Sequence, residues 1–215
     1  TISSLYLINS QINKNISSAG SVGSVIGRAI PGNAVGGGIC NDSSFYITNT
    51  IINMNSTIKG SGYVGNPWQF DSFGLSFGGG INDENTSSTL ENSVIYGNMS
   101  DSGAGIYGLK GDIINTILWN NLTNQIFNTT TPTYSCIQDW TGEGEGNISL
   151  DPQFVDAENG DFHLRSDSPC IDAGTTIEDL LYDIDGVRRS QGKGYDIGAY
   201  EFIPSSNVES WQLYE

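Results

Sequence analysis

Few side chains in this 215-residue chain are of types that do chemistry, and they are scattered. His163 is the only histidine, which makes it the first place to look for a general base. Strand alternation in Asp161-Phe162-His163-Leu164-Arg165 puts Phe162 and Leu164 on one face. His163 and Arg165 then point the other way, toward solvent or an acidic neighbour such as Asp161 or Asp167. That pattern favours a structural or surface histidine, and no spacing in the sequence builds a Ser-His-Asp set around it. Asp83 and Glu84 follow a glycine cluster, and Asp42 stands at the matching place one copy earlier in a repeat described below. Carboxylates sharing one face can act as the acid and base of glycoside hydrolysis, although solvated turn acids look the same in sequence. Asp183 and Asp185, in Asp-Ile-Asp-Gly, supply the closely spaced hard oxygens with which a calcium loop begins. The third acid and the later bidentate Glu of such a loop are missing, and Val187-Arg188-Arg189 follows instead. A structural network joining Arg188 or Arg189 to Asp183, Asp185 or Asp196 is the stronger reading. Glu143 to Gly146 is a lesser calcium candidate, and no cofactor is otherwise implied.

Aromatic residues give the clearer lead. Tyr63, Trp68, Phe70 and Phe73 fall within eleven residues, and flat rings at that density can stack on sugars or anchor a protein partner. The competing reading folds them back to cover the side of the scaffold. Three cysteines make an odd count. Cys136 and Cys170 each sit in a strand-like run and form the candidate disulfide, whereas Cys40 follows an inward Ile39 and reads as a small buried filler.

The elements that must position these groups come from a repeat. The pattern x-x-Asn-Ser/Thr-x-Ile/Leu-x-x-Asn occurs four times, at Leu7 to Asn15, Ile47 to Asn55, Leu90 to Asn98 and Ile113 to Asn121. Glycine clusters at Gly36-Gly37-Gly38, Gly78-Gly79-Gly80 and Gly103-Ala104-Gly105 begin 13, 14 and 12 residues before the first Asn of three copies. Self-similarity of this kind signals a stacked repeat protein. Within each copy the short runs are rich in Ile, Leu and Thr and carry no helical stripe, which is a strand signal. The shortest interval, 23 residues from Asn92 to Asn115, suits one coil of a right-handed parallel β-helix. Asn9, Asn49, Asn92 and Asn115 are expected to form one ladder of left-handed turn residues, and Asn15, Asn55, Asn98 and Asn121 a second. Ile12, Ile52, Ile95 and Leu118 would stack inside, with the glycines at bends.

The first two intervals, of 40 and 43 residues, carry surplus chain over about 16–35 and 56–77, read as loops, where such scaffolds usually place function. This gives a parallel β-helix over residues 1–138, a C-terminal β-rich cap over 139–203 and a linker over 204–215.

Lys and Arg total 8 against 24 Asp and Glu, a net charge of −16, and 17 of the acids lie from Asp139 onward. Nucleic acid and anionic membrane surfaces need basic patches, so both are poor partners. No apolar run approaches the roughly 18 to 20 residues that span a bilayer. The chain opens in mid-pattern, as expected of a fragment.

The strings ILWNN, TYSCIQ, GEGNISLDPQFVD, NGDFHLRSDSPCIDAG and DIDGVRRSQGKGYDIGAYEF resemble the C-terminal part of bacterial secreted right-handed β-helix proteins often described by a choice-of-anchor domain. The closing SSNVESWQLYE looks like the start of a type IX secretion sorting domain. The resemblance implies export and surface attachment, and no single activity. The expected function is therefore a secreted or cell-surface scaffold or adhesin that binds a polysaccharide or cell-surface partner through its loops. The alternative is a polysaccharide lyase or glycoside hydrolase. Enzymes of this fold that cleave acidic polysaccharides generally use a Lys or Arg base with calcium, for which Lys14, Arg28, Lys59 and Lys110 are available.

Overall fold

A computed structural model of the chain describes residues 5–19, 33–41, 44–59, 61–62, 72–73, 75–83 and 87–204. The protein is all-β, and the one helical element among these residues is a 3-10 turn at Ala157–Asn159. Most strands run parallel, in stacked sheets that take one strand from each repeat. The first sheet orders Leu5–Ile8, Phe45–Thr48, Thr89–Glu91 and Asp112–Ile114. The second orders Gln11–Asn13, Ile51–Asn53, Val94–Tyr96, Ile117–Trp119 and Cys136–Ile137. The third holds Ile39–Asn41, Ile81–Asp83, Ile106–Tyr107 and Ile126–Phe127.

Register follows from the repeat. Ile12, Ile52, Ile95, Leu118 and Ile137 lie opposite one another across the second sheet. Leu7, Ile47, Leu90 and Ile113 do so in the first, and Ile39, Ile81, Ile106 and Ile126 in the third. These rows meet in one apolar cluster. Burying each such side chain contributes about 1.5–3 kcal/mol, and a one-residue slip would turn a whole row outward, which fixes the register.

Each polar letter of the repeat has a partner. Asn9, Asn49, Asn92 and Asn115 all take left-handed φ between the first and second sheets. The following Ser or Thr hydroxyl donates to the carbonyl two residues back, as in Thr50 to Thr48 (2.9 Å) and Ser93 to Glu91 (2.7 Å). At the next turn the left-handed residue is not the ladder asparagine but the one before it, Lys14, Met54, Gly97 or Asn120. That frees Asn55, Asn98 and Asn121 to turn inward. Each donates to a carbonyl of the preceding copy, Ile12, Ile52 or Ile95, at 2.9–3.0 Å. Each also accepts from that copy's backbone amide and side-chain amide at 2.9–3.1 Å. Gln125 takes the place of a fifth asparagine, accepting from Asn121 Nδ2 at 2.7 Å.

The glycine clusters belong to the same device. A Cβ on Gly80 would sit 2.6 Å from the Gly105 carbonyl and 3.2 Å from Asn98 Nδ2; on Gly105 it would lie 2.2 Å from the Gln125 carbonyl. The last glycine of each cluster thus leaves room for the ladder asparagine, which is why the two recur at a near-constant offset.

The long intervals are not extra stacked copies, because the strands of the first and second copies, and of the second and third, pair directly. The ends of the surplus chain are themselves paired: Ile16–Ser18 with Ser56–Ile58, and Ala34–Val35 with Ser76–Phe77, both parallel. Residues 139–203, read from sequence as a cap over the open end, make two separate contacts with the stacked strands. Trp140 packs against the interior cluster just beyond Ile137. From Phe154 onward the chain lies along the outward face of the second sheet, where Phe162, Leu164, Cys170, Ile197, Ala199 and Tyr200 join Ile51, Val94, Ile117 and Cys136 in a second apolar cluster. An antiparallel pair, Phe154–Asp156 with Asp161–Leu164, supplies two of these residues.

Candidate functional site

Asp183 and Asp185 serve the C-terminal region itself. The buried Asp183 carboxylate accepts from the amides of Asp185 (2.9 Å), Val187 (2.8 Å) and Glu201 (2.9 Å). Its lone pairs are spent on backbone, and Asp185 turns to His163, so the two acids do not converge on a shared cation position. Among the described residues no group of three or more His, Cys, Asp or Glu side chains is arranged to hold a metal ion. The arginine of the expected network is Arg189, and its carboxylate partner is Glu201 rather than an aspartate, at 2.9 Å with both side chains buried.

His163 is clasped at both ring nitrogens. Nδ1 lies 2.6 Å from Asp161 Oδ1 and Nε2 2.9 Å from Asp185 Oδ2, while the ring lies 3.9 Å, centroid to centroid, from that of Tyr200. Burial pulls its pKa down, but the hydrogen bonds and charges of Asp161 and Asp185 outweigh this and raise it above the ordinary value. Phe162 and Leu164 are buried on the opposite face, as alternation requires. The Asp185 contact had no signal in the sequence, being 22 residues away. A cavity of about 200 Å³ beside the ring is lined by Leu164, Val187, Phe202 and Ile203 and by the acids Asp183, Asp185 and Glu201. With both nitrogens engaged, the imidazole is a fastener between the hairpin and the Asp-Ile-Asp-Gly turn.

Of the candidate carboxylates only Asp83 lies among the described residues. Asp83 lies in the third sheet, opposite Asn41, on the same side of its strand as Ile81 and with no exposed surface. A polymer cannot reach an acid so placed. Asp42 and Glu84 lie outside the described residues, as does Arg28. Lys59 pairs with Asp101 at 3.2 Å, and Lys110 donates to the carbonyl and side chain of Asn128 at 2.5 and 2.7 Å. Lys14 borders a polar cleft of about 130 Å³ with Asn13, Asn53 and Asn159.

Of the aromatic candidates, Tyr63, Trp68 and Phe70 lie outside the described residues. Phe73 belongs to the strand Ser72–Phe73, whose antiparallel pairing with Ser61–Gly62 closes the base of that insertion. A different row runs from Phe77, in the strand just before the third sheet, onto Tyr107 and Phe127 of that sheet. The Phe77 and Tyr107 rings are 4.8 Å apart, and Tyr107 and Phe127 stack at 5.7 Å and 16°. Asn82 lies in register with Tyr107 on the same face, and Phe127 is about half exposed. Among the described residues the C-terminal region packs on the second sheet, and Phe77 and Tyr107 are part-buried. The row had a sequence signal that is visible once the strands are aligned: each ring of the Tyr107–Phe127 pair follows an inward isoleucine, Ile106 or Ile126, and alternation then points it outward.

The same alternation corrects the reading of Cys40. It follows Ile39 and is exposed, not a buried filler. Cys136 and Cys170 are both buried, in the same apolar cluster, and not disulfide-bonded. No helix among the described residues is long and apolar enough to cross a membrane. Comparison with family models, curated proteins and solved structures finds no match to the chain.

Proposed function

We propose that the chain is a closed right-handed parallel β-helix acting as a secreted or cell-surface binding scaffold that holds a neutral glycan against its aromatic row. The observation that carries this reading is the row Phe77–Tyr107–Phe127, whose rings follow one another in contact and end on the half-exposed Phe127. Aromatic rings take up the C–H faces of pyranoses, and adjacent amides such as Asn82 can meet their hydroxyls. Three inward rows in one apolar cluster support closure, and the general hand of parallel crossovers supports a right-handed path. The net charge of −16 disfavours polyanionic chains, which leaves neutral ones. Export is supported by the resemblance of the C-terminal strings to secreted β-helix proteins. The reading is non-catalytic, since Asp83 is enclosed and His163 is clasped on both sides.

Titration calorimetry against soluble neutral and acidic polysaccharides tests it. Binding to a neutral chain is expected, with a loss of about tenfold or more in Tyr107→Ala and Phe127→Ala. Full retention in the double variant, with loss in Trp68→Ala, would move the contact to the insertion. Release of new chain ends that disappears in Asp83→Asn would overturn the passive reading in favour of a lyase or hydrolase.

A further inference from the structure

We propose that Cys136 and Cys170 are the two halves of a disulfide that fastens the C-terminal flank to the second sheet. Cys136 is in the last strand of that sheet, opposite Ile117, and shares its outward row with Ile51 and Val94. Cys170 comes from the flank and sits in the same apolar cluster, fully enclosed like its partner. The Cys136 thiol is near enough to Cys170 to raise its pKa, and it donates to the Leu150 carbonyl at 3.2 Å. The backbone at Cys170 is pinned on both sides, its amide donating to Ser168 Oγ (3.1 Å) and its carbonyl accepting from Ile197 (2.9 Å). Two reactive side chains are thus held together where the flank meets the stacked strands, in a cluster otherwise filled by hydrocarbon and aromatic groups.

The bond forms by thiol–disulfide exchange with a disulfide-bearing oxidant, either a dithiol oxidoreductase or oxidised glutathione. One cysteine, as thiolate, attacks the oxidant to give a mixed disulfide, and the second displaces the oxidant's remaining sulfur. The protein loses two protons and two electrons, and the oxidant ends as two thiols. The neighbouring Cys136 thiol, with burial, holds the Cys170 thiol well above its ordinary range. The docked Cys170 is therefore a poor nucleophile, both sulfurs are enclosed, and the bond is made while the flank is still folding onto the sheet.

The test unfolds the full chain in denaturant with reductant and refolds it in a glutathione redox buffer. It is then alkylated under denaturing conditions for intact-mass and peptide analysis. One alkylated thiol, Cys40, the loss of two hydrogens and a linked Cys136–Cys170 peptide are expected. The oxidised form should melt roughly 5 to 15 °C above the reduced one. Already folded, reduced protein in the same buffer should oxidise about tenfold more slowly or worse. Three alkylated thiols after oxidative refolding, or a link through Cys40, would overturn the proposal. Cys170→Ser puts a hydroxyl in an apolar cluster, so Cys170→Ala serves as a second variant. It should fold and melt at one temperature in either redox state, and a surviving redox dependence would also overturn the assignment.

Discussion

Arg189 joins the far end of the chain to the second repeat, its Nη2 donating to Asn49 Oδ1 at 2.6 Å. The contact falls where the first asparagine row would pass from Asn49 to Asn92. The row instead survives as two pairs, Asn49 to Asn9 at 3.0 Å and Asn115 to Asn92 at 3.1 Å. Groups from the flank satisfy the amides between them: Asn49 Nδ2 donates to the Tyr182 carbonyl (2.8 Å), and Asn92 Nδ2 to that of Asp196 (3.3 Å). Burial lowers the Arg189 pKa, and the opposing charge and hydrogen bond of Glu201 limit the fall.

Breaking that pair from one side strands a buried charge. Arg189→Met is expected to cost about 3–5 kcal/mol, because Glu201 loses its counter-ion in an enclosed site. Arg189→Met combined with Glu201→Leu should recover part of that loss. Urea unfolding of both variants checks the order, and equal stabilities for the single variant and the wild type would contradict it.

The flank is expected to loosen as pH rises through neutrality. Burial, then the charge of Glu201, pushes Asp196 up to about 7 from an ordinary 3.8, against the opposing amides of Phe202 and Asp172. A folded value above the unfolded one gives a contribution fully present below the unfolded value and lost as pH rises through about 7. His163, raised above an ordinary 6.5, has the same sign and is lost as pH passes its elevated folded value. Asp161 works in the other direction. Burial raises it, the bonds from His163 lower it further, and its contribution disappears as pH falls through its depressed value. Thermal melts of wild type from pH 5 to 9 should decline toward the alkaline end, and the decline should flatten in Asp196→Asn with His163→Gln. Parallel profiles for wild type and double variant would refute this.

Asparagines of the second row should differ sharply by depth. Asn98→Ala removes the acceptor for Asn55 N and Nδ2 and the donor to the Ile52 carbonyl, with an expected cost of roughly 2–4 kcal/mol. Asn15→Ala, at an exposed edge, should cost less than about 1 kcal/mol. Chemical denaturation distinguishes them.

Two glycines separate backbone strain from lack of space. Gly97 has φ +64°, but its nearest neighbour to an added Cβ is at 3.6 Å, and Asn120 holds the equivalent turn one copy later. Gly97→Asn should change stability by less than about 1 kcal/mol. An added Cβ on Gly105, 2.2 Å from the Gln125 carbonyl, must displace backbone. Gly105→Ala should lower the melting temperature well beyond any effect at Gly97.

The stacked parallel sheets were legible because one short pattern recurs with its inward Ile and polar turn letters in place, and Ile12, Ile52, Ile95 and Leu118 pair as that pattern requires. The reason glycine and asparagine travel together was not legible, because Gly80 and Asn98 meet only once adjacent copies are stacked. The candidate site was read less well. Local spacing pointed to Asp183 and Asp185 as a pair, yet the first is consumed by amides up to 18 residues away and the second by His163. Long-range partners of this kind leave no periodic trace. The Phe77–Tyr107–Phe127 row was hidden for the same reason, its members falling in different repeats.

The flank has a mechanical consequence. It bonds to Asn49 through Arg189 and Tyr182, to Asn92 through Asp196, and to Asn115 through Thr175. A pull applied near Phe202 is therefore carried by three successive repeats at once, in shear along the stack. Without that brace the load would peel the last strand first and unzip the array copy by copy; with it, the stacked strands yield together or not at all.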